Sequence, residues 1–462
     1  MLSGRHPVRA CLAAALLLPG LSGQSSRGVL RPRNLLVITL DTMRADRLGA
    51  YGFRGVDTPA LDRIGAEGMV FEEAYAAVPL TLPSHASLFT GIYPPRLGVR
   101  DNAGAPLSNE FTTLAEVLRE RGLRTAAFVA SAVLAPRRGI EQGFDVYSGG
   151  DPARCSGAPA TRRRAGEVVD EAISWLQHRD AEPFFAWMHF YDTHRPYDLP
   201  AEFRDRYSDP YLAAIAYEDS QIARVIDYLE ARGLLNSTLI VVVGDHGESL
   251  GGHGEESHGI FVYQEALRVP FMVRGPGVSP RRVAAVARLV DVMPTVLDLV
   301  GVPTRGLDGV SLAQAGIGPR KDTPLEVYSE SMYPQRFGWA PLRSLRADRY
   351  KMIDAPRAEL YDLENDRGEE RNVLAEHPTV AAAMLQRLRS LDSGQEAPAT
   401  PRPEVDTALL ERIASLGYVG TTATETPAAA GGQTDPKDRI ARFNWITSLQ
   451  WENAERRRSL CR

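Results

Sequence analysis

The chain has 462 residues, 44% of them hydrophobic and 24% charged, a size that asks for one large domain plus a smaller one and a composition ordinary for a globular protein. The formal net charge of −5 is mild, so no nucleic-acid partner is indicated, and the basic residues are nearly all Arg, Lys occurring only at 321, 351 and 437. Cys11, Cys155 and Cys461 are too scattered for a disulfide framework or a cysteine metal site.

The chain opens with Arg5 and Arg9, an apolar stretch at 10–18, then Ser22 and Gly23. That is the order of a secretory signal, so residues 1–23 are expected to be a signal peptide and the protein to be exported, periplasmic or secreted. The stretch is too short to span a bilayer. No later segment has the roughly twenty apolar residues that a transmembrane helix needs.

NLLVITLDT (34–42) is an apolar run ending in polar residues, as a buried parallel strand does. TPALDRIGAEGMVFEEAYA is expected as a helix opened by Thr58-Pro59. TTLAEVLRERGLRTAAFVA reads as helix, Gly122, strand. PFFAWMHFYDTH (183–194) and STLIVVVGDHGES (237–249) repeat the pattern of buried strand into polar residues. VARLVDVMPTVLDLVG reads as a helix closed by Gly301. Strands alternating with helices predict an α/β fold whose central sheet is large and mainly parallel, flanked by helices.

From about 325, LEVYSESMYP, LRSLRADRYKMIDA and AELYDLENDRGEERNVL read as short strands and turns, and HPTVAAAMLQRLRSL as a helix. The expected organisation is a catalytic domain over 24–318, a small C-terminal α+β subdomain over 319–395 and an Ala/Pro/Thr-rich linker over 396–434. A helical tail follows over 435–462, resembling the start of a truncated helical repeat and a candidate contact for a protein partner.

Asp41 and Asp245-His246 each follow a strand, and open α/β sheets bind ligands at that edge. Each alone reads equally as a turn or a cap. LTLPSHAS alone reads as a helix start, with Thr81 or Ser84 capping and Pro83 in the first turn. Together, two carboxylates, an imidazole and a hydroxyl suit one divalent metal. Such a metal makes an alkoxide available from Thr81 at neutral pH, and a helix N-terminus offers amides to an anion. The chemistry indicated is attack on a tetrahedral anionic ester.

NLLVITLDTMRADRLGAYG, TLPSHASLFTGIYPPRLGVRDN, HFYDTHRPY, VVVGDHGESLGGHGEESHG and VPFMVRGPG, in that order over about 33–395, resemble the sulfatase family of the alkaline phosphatase superfamily. The resemblance implies an alkaline-phosphatase-like sandwich. It also exposes departures. Typical members have Cys or Ser, oxidised to an aldehyde, where this chain has Thr81. They have Arg where it has His85, a second Asp where it has Thr42, and Asn where it has His246. A secondary alcohol cannot yield that aldehyde, and an imidazole ligand favours manganese or zinc over calcium.

These changes resemble the branch of phosphonate and phosphodiester hydrolases and of phosphoethanolamine and glycerophosphate transferases. Carried over by position, Asp41, Thr81, Asp245 and His246 are the metal ligands and Thr81 the nucleophile. Asn102 is a donor to a non-bridging oxygen, and His85 a further contact to substrate or ligands. His194 and His258 are acid or charge-stabilising groups. The expected activity is hydrolysis of a phosphodiester or phosphonate monoester through a covalent Thr81 intermediate, on a small, glycan-linked or lipid-linked phosphate or sulfate ester. The alternatives are sulfuric ester hydrolysis, phospho-group transfer to a glycan or lipid, and a binding protein with a vestigial site. His189 and His253 read as supporting or surface residues, Arg44 and Asp46 as fixing the loop behind Asp41, and the Arg run at 162–164 as solvated.

Overall fold

Seven consecutive buried residues, Asn34–Leu40, form strand β1. A strand covered on both faces has no need of alternation, which is why its sequence is a continuous apolar run. The computed structural model describes residues 31–149, 162–178, 182–317, 325–393 and 434–459. The expected signal peptide, the three cysteines and nearly all of the expected linker lie outside them.

The other strands of the main sheet are β2 (Met69–Tyr75), β3 (Arg124–Val129), β4 (Val146–Gly149), β5 (Phe184–Phe190), β6 (Thr238–Gly244), β7 (Arg268–Arg274), β8 (Arg281–Val283) and β9 (Ala287–Arg288). The order is β4-β3-β5-β1-β6-β7-β2-β8, with β9 also on β2. Only β7 runs against its neighbours; every other pairing is parallel. The strands before Asp41, His194, Thr81 and Asp245 therefore point the same way and deliver those residues to one edge.

Helices α1 (Pro59–Glu67), α4 (Ala165–His178) and α5 (Pro210–Ala231) pack as one layer, and α2 (Thr81–Thr90), α3 (Leu114–Glu120) and α6 (Val292–Leu299) as another. The helix expected to start at Pro59 stops at Glu67, and MVFEEAY is strand β2 instead. Gly68 breaks the helix in an extended conformation, and Met69, Val70 and Phe71 then pair with β7 on one side and β8 on the other. Pairing on both edges outweighs the helical propensity of the two glutamates. Gly122, at φ +84°, turns the chain from α3 towards β3 as expected.

The C-terminal part is an antiparallel sheet of β10 (Val327–Ser331), β11 (Leu342–Ala347), β12 (Tyr350–Asp354) and β13 (Glu359–Asp362), backed by α7 (Pro378–Ser393). Tyr328, Leu345, Met352, Leu360 and Leu388 form its own small core. Its edge strand β10 reaches into the larger sheet's loops. Glu330 N donates to Ala77 O (2.9 Å) and Ser329 Oγ to Ala76 O (2.7 Å), just ahead of Thr81. Ser331 Oγ donates to Gly259 O, beside His258. The small sheet thus positions two segments that carry candidate catalytic residues.

The join contains a charge with no exposure. Glu330 is fully buried and accepts from Arg100 Nε (2.7 Å), from Arg100 Nη2 and from Tyr328 OH (2.5 Å), while Arg100 also reaches Asp392 (3.1 Å). Removing one partner of a buried pair leaves the other uncompensated, a loss of about 3–5 kcal/mol. Arg100→Ala is expected to destabilise the protein by roughly that amount in urea unfolding, and Arg100→Ala with Glu330→Gln by clearly less. A single variant within about 1 kcal/mol of the parent would show that the pair does not hold the sheets together.

The tail forms helix α8 (Ile440–Ser459) and packs back on the chain. Phe443 is buried against Tyr333 and Phe337, with ring centroids 6.1 and 5.8 Å away. Asn444 Nδ2 donates to Gly254 O (2.8 Å) and its Oδ1 accepts from Glu256 N (3.1 Å).

Candidate active site

Asp41 is the first residue beyond β1 and Asp245 the first beyond β6. The ladder continues one step past each strand, Asp41 N donating to Phe190 O (3.1 Å) and Asp245 N to Leu40 O (3.2 Å), so the two carboxylates emerge side by side. The chain then turns at Thr42 with φ +50°, held by Tyr211 OH on Thr42 O (2.8 Å). Arg44 pairs with Asp46 (2.8 Å) and donates to Glu248 O (3.1 Å), tying the loop behind Asp41 to the loop behind Asp245.

Helix α2 begins at Thr81, and all ten of its residues are buried. Leu80, extended, is its cap residue and offers no side-chain bond. Thr81 is therefore not a cap, and neither is Ser84. The Thr81 hydroxyl donates to Asp41 Oδ2 (3.2 Å), and Ser84 Oγ donates to Asp245 O (2.5 Å). Of the amides expected to face an anion, those after Thr81 are not available. Leu82 N is taken by Asn102 Oδ1 (2.9 Å), Pro83 has no N–H, and Ser84 N bonds Leu80 O (3.2 Å). The Thr81 amide is outside these bonds, and side chains add further donors. The buried Asn102 Nδ2 has no hydrogen-bond partner, and Arg138 Nη2 fixes the residue through its carbonyl oxygen (2.7 Å).

Asp41, Asp245 and His246 place one ligand atom each within 4.8 Å of one another, fully buried. His246 Nε2 stands 4.0 Å from Asp41 Oδ1 and 3.7 Å from Asp245 Oδ2, and none of these three atoms has a hydrogen-bond partner. His246 Nδ1 lies 3.0 Å from Gly247 O, to which it donates as N–H, so Nε2 carries the lone pair. Burial pushes the Asp41 carboxyl up to about 6 and Asp245 well above the carboxylate range, and it pushes His246 down to about 3. Buried carboxylate oxygens without hydrogen-bond partners, facing an imidazole lone pair, suit a cation, and the residues fit a divalent metal.

His85, His189 and Asp245 form a second such cluster, but His85 is already committed. Trp187 Nε1 donates to Thr39 Oγ1 (2.9 Å), so the Thr39 hydroxyl donates to His85 Nε2 (3.0 Å) and His85 Nδ1–H to Thr81 O (2.8 Å). His85 thus sits behind Thr81, steadying the first turn of α2, with neither nitrogen left for substrate or metal.

His258 Nδ1 donates to Glu248 Oε1 (3.1 Å), and its ring lies 4.5 Å from that of His246 and 5.1 Å from that of His194. His194 stacks on Tyr191 (4.4 Å) and donates through Nδ1 to Arg195 O. Burial lowers both imidazoles, His258 to about 4 and His194 well below its ordinary value. The strand ends thus bring Asp41, Asp245, His246, His194 and His258 into one cluster with Thr81, and Asn102 flanks it on the Leu82 amide.

Several participants were not singled out from the sequence. His189 is no surface residue: it is fully buried, its Nε2 3.4 Å from Asp41 Oδ2. Glu218 accepts from Asp192 N (2.9 Å) and Thr193 N (3.2 Å), while Thr193 Oγ1 donates to Asp41 O (2.5 Å). A signal for Glu218 existed, since it falls on the buried face of α5 with Ile215 and Ile222. In the Arg run, Arg163 is largely withdrawn from solvent and Arg164 is about one-third exposed, 10% and 36%. Arg163 binds Val129 O (2.8 Å), Ser148 O (2.8 Å) and Glu171 (2.5 Å), and Arg164 pairs with Asp198 (2.7 Å). His253 pairs with Glu265 (2.6 Å), away from the cluster's carboxylates.

Comparisons with known proteins agree with this layout. The sulfatase family profile matches residues 33–302, and that of the N-sulphoglucosamine sulphohydrolase C-terminal region matches 255–394. The chain is 24% identical to a Delta 4,5-hexuronate-2-O-sulfatase of Bacteroides thetaiotaomicron, over 80% of this chain and 90% of that protein. It is 26% identical to the choline-sulfatase of Rhizobium meliloti, over 75% of this chain and 83% of that one. Its fold matches the crystal structure of the phosphonate monoester hydrolase of Agrobacterium radiobacter with a TM-score of 0.68, at 23% identity, covering 79% of this chain and 96% of that one.

Proposed function

Because the chain belongs to the sulfatase family, a family of metal-dependent ester hydrolases, we propose that it hydrolyses phosphodiesters or phosphonate monoesters through a covalent Thr81 intermediate. The observation that carries this reading is the chemistry of position 81. An unmodified secondary alcohol starts α2 with its hydroxyl on the buried Asp41 carboxylate (3.2 Å), where the family resemblance implies an aldehyde precursor.

Asp41, Asp245, His246 and the Thr81 hydroxyl would hold one divalent metal, which supplies alkoxide stabilisation and charge neutralisation on a non-bridging oxygen when bound. The imidazole in that set favours manganese or zinc over calcium. Asp41 Oδ2 is the acceptor for the Thr81 proton. The incoming anionic ester favours the imidazolium form of His194 or His258, and that imidazolium gives its proton to the leaving oxygen as Thr81 Oγ bonds to phosphorus. Asn102 Nδ2 donates to a non-bridging oxygen. Water releases the phospho group from Thr81 and restores the hydroxyl. The ester is small, or linked to a glycan or lipid.

Sulfate ester hydrolysis at the same Thr81 is the second reading, favoured by sulfatases among the relatives, one a hexuronate-2-O-sulfatase. Transfer of the phospho group to a glycan or lipid alcohol competes with hydrolysis; among the described residues no helix is long and apolar enough to cross a membrane. The test loads the protein separately with manganese, zinc and calcium. Each form is offered p-nitrophenyl sulfate, a phosphate monoester, a phosphodiester and a phosphonate monoester. The diester or phosphonate is expected to turn over fastest, with manganese or zinc. Preferential sulfate turnover would overturn the reading.

A further inference from the structure

Outside the buried cluster lies a cavity of about 410 Å³ whose lining includes Arg195, Tyr197, Asp198, Leu199, Arg204 and, from the distant tail, Trp451. Its lining begins one residue beyond His194. Arg195 follows His194 in the chain and accepts the hydrogen bond of the His194 ring on its backbone oxygen. Its charge also acts on Glu248, the residue that holds His258.

The Arg195 guanidinium carbon stands 5.4 Å from the centroid of the Trp451 ring, a cation–π distance. Trp451 is placed there by the helix. Phe443, Thr447 and Trp451 follow at intervals of four, so they share one face of α8. Phe443 and Thr447 are buried on that face, and the Asn444 clamp on Gly254 and Glu256 locks the helix to the loop that carries His258. Trp445, on another face of the same helix, is 62% exposed.

We propose that Arg195 and Trp451 form a leaving-group subsite, in which the ring of a cyclic alcohol (an aromatic or a pyranose) lies against the indole while its ester reaches the cluster past His194. An indole supplies a flat apolar face to such a ring, the neighbouring guanidinium pairs with its acceptor or anionic substituents, and an acyclic alkyl group gains neither. This deepens the reading of the previous subsection and rests on it for the direction of the ester, though not for the binding of the ring.

The experiment compares full-length Trp451→Ala, Trp451→Phe and Trp445→Ala with the parent. The substrates are three esters of the best-hydrolysed acid: p-nitrophenyl, glucose-6-yl and ethyl. Trp451→Ala is expected to raise KM for a ring ester about 5-fold relative to the ethyl ester, with kcat changed much less. Trp451→Phe should recover most of that loss, and Trp445→Ala should match the parent. A rise for p-nitrophenyl alone identifies an aromatic leaving group, and a rise for the glucose ester identifies a sugar. Equal changes for all three esters, or none, overturn the subsite. Ring binding is also read without turnover, by titrating p-nitrophenyl glucoside calorimetrically. If no ester is hydrolysed but this ligand binds and Trp451→Ala weakens it, the subsite stands and the proposed reaction fails. If esters turn over but no ring binding depends on Trp451, the reverse holds.

Discussion

Thr81→Ala is expected to lower kcat/KM by about 10³-fold or more while the protein stays folded. The size follows from the role: without Oγ there is no atom to form the covalent intermediate, and what survives is direct attack of water in a site arranged for something else. The stability loss is small by comparison. The substitution removes one methyl and one hydroxyl from a buried position whose hydrogen bond to Asp41 is 3.2 Å long, a cost of about 1–2 kcal/mol. Thr81→Ser keeps an alcohol in place and is expected to retain activity within about tenfold of the parent. Rapid acid quenching with a slow substrate, followed by mass spectrometry of the peptide containing residue 81, should show the adduct in the parent and none in Thr81→Ala. Residual turnover of Thr81→Ala within tenfold of the parent would remove Thr81 as nucleophile.

Asp245→Asn is expected to lower metal affinity by at least about 10²-fold and to lose turnover in proportion, recoverable in part at high metal concentration. The reason is the isolation of the site. Asp245 Oδ2, Asp41 Oδ1 and His246 Nε2 are buried without hydrogen-bond partners, so no neighbour replaces a lost charge. Chelation should abolish activity, and manganese or zinc should restore it together with a rise in Tm. The pH dependence has a definite sign. With its carboxyl pushed up to about 6 by burial, Asp41 binds protons in the folded metal-free protein that the unfolded chain has already released. The stability of the metal-free form therefore falls as pH rises from about 4 to 6. Metal requires the deprotonated carboxylate, so affinity rises over the same interval. The Tm gain from metal should thus be larger at pH 7 than at pH 5. A gain independent of pH, with Asp245→Asn binding as tightly as the parent, would move the metal elsewhere.

The strands behind these residues were legible because a strand buried on both faces writes a continuous apolar run, and each such run ended in the residue now at the site: Asp41, His194, Asp245. Thr81 was legible as a helix start. Its side-chain partner was not, because the same local pattern serves a cap and a residue of the site, and only the neighbouring Asp41 oxygen separates the two. MVFEEAY was misread as helix for a related reason. Its strand character comes from β7 and β8, which lie about two hundred residues further along the chain.

The sequence alone determined the α/β class, the residues able to bind a divalent metal, and the departures at positions 42, 81, 85 and 246 that set this chain apart from typical relatives, since all of these are matters of local pattern and side-chain chemistry. The tertiary structure alone decided that His85 supports the helix of Thr81, that Glu218 and Glu248 hold the loops of His194 and His258, that β10 braces the segments on which Thr81 and His258 sit, and that Trp451 of the tail returns to Arg195. Each of these depends on which strand lies beside which, and that order is set by pairing and burial between segments with no signal in common along the chain.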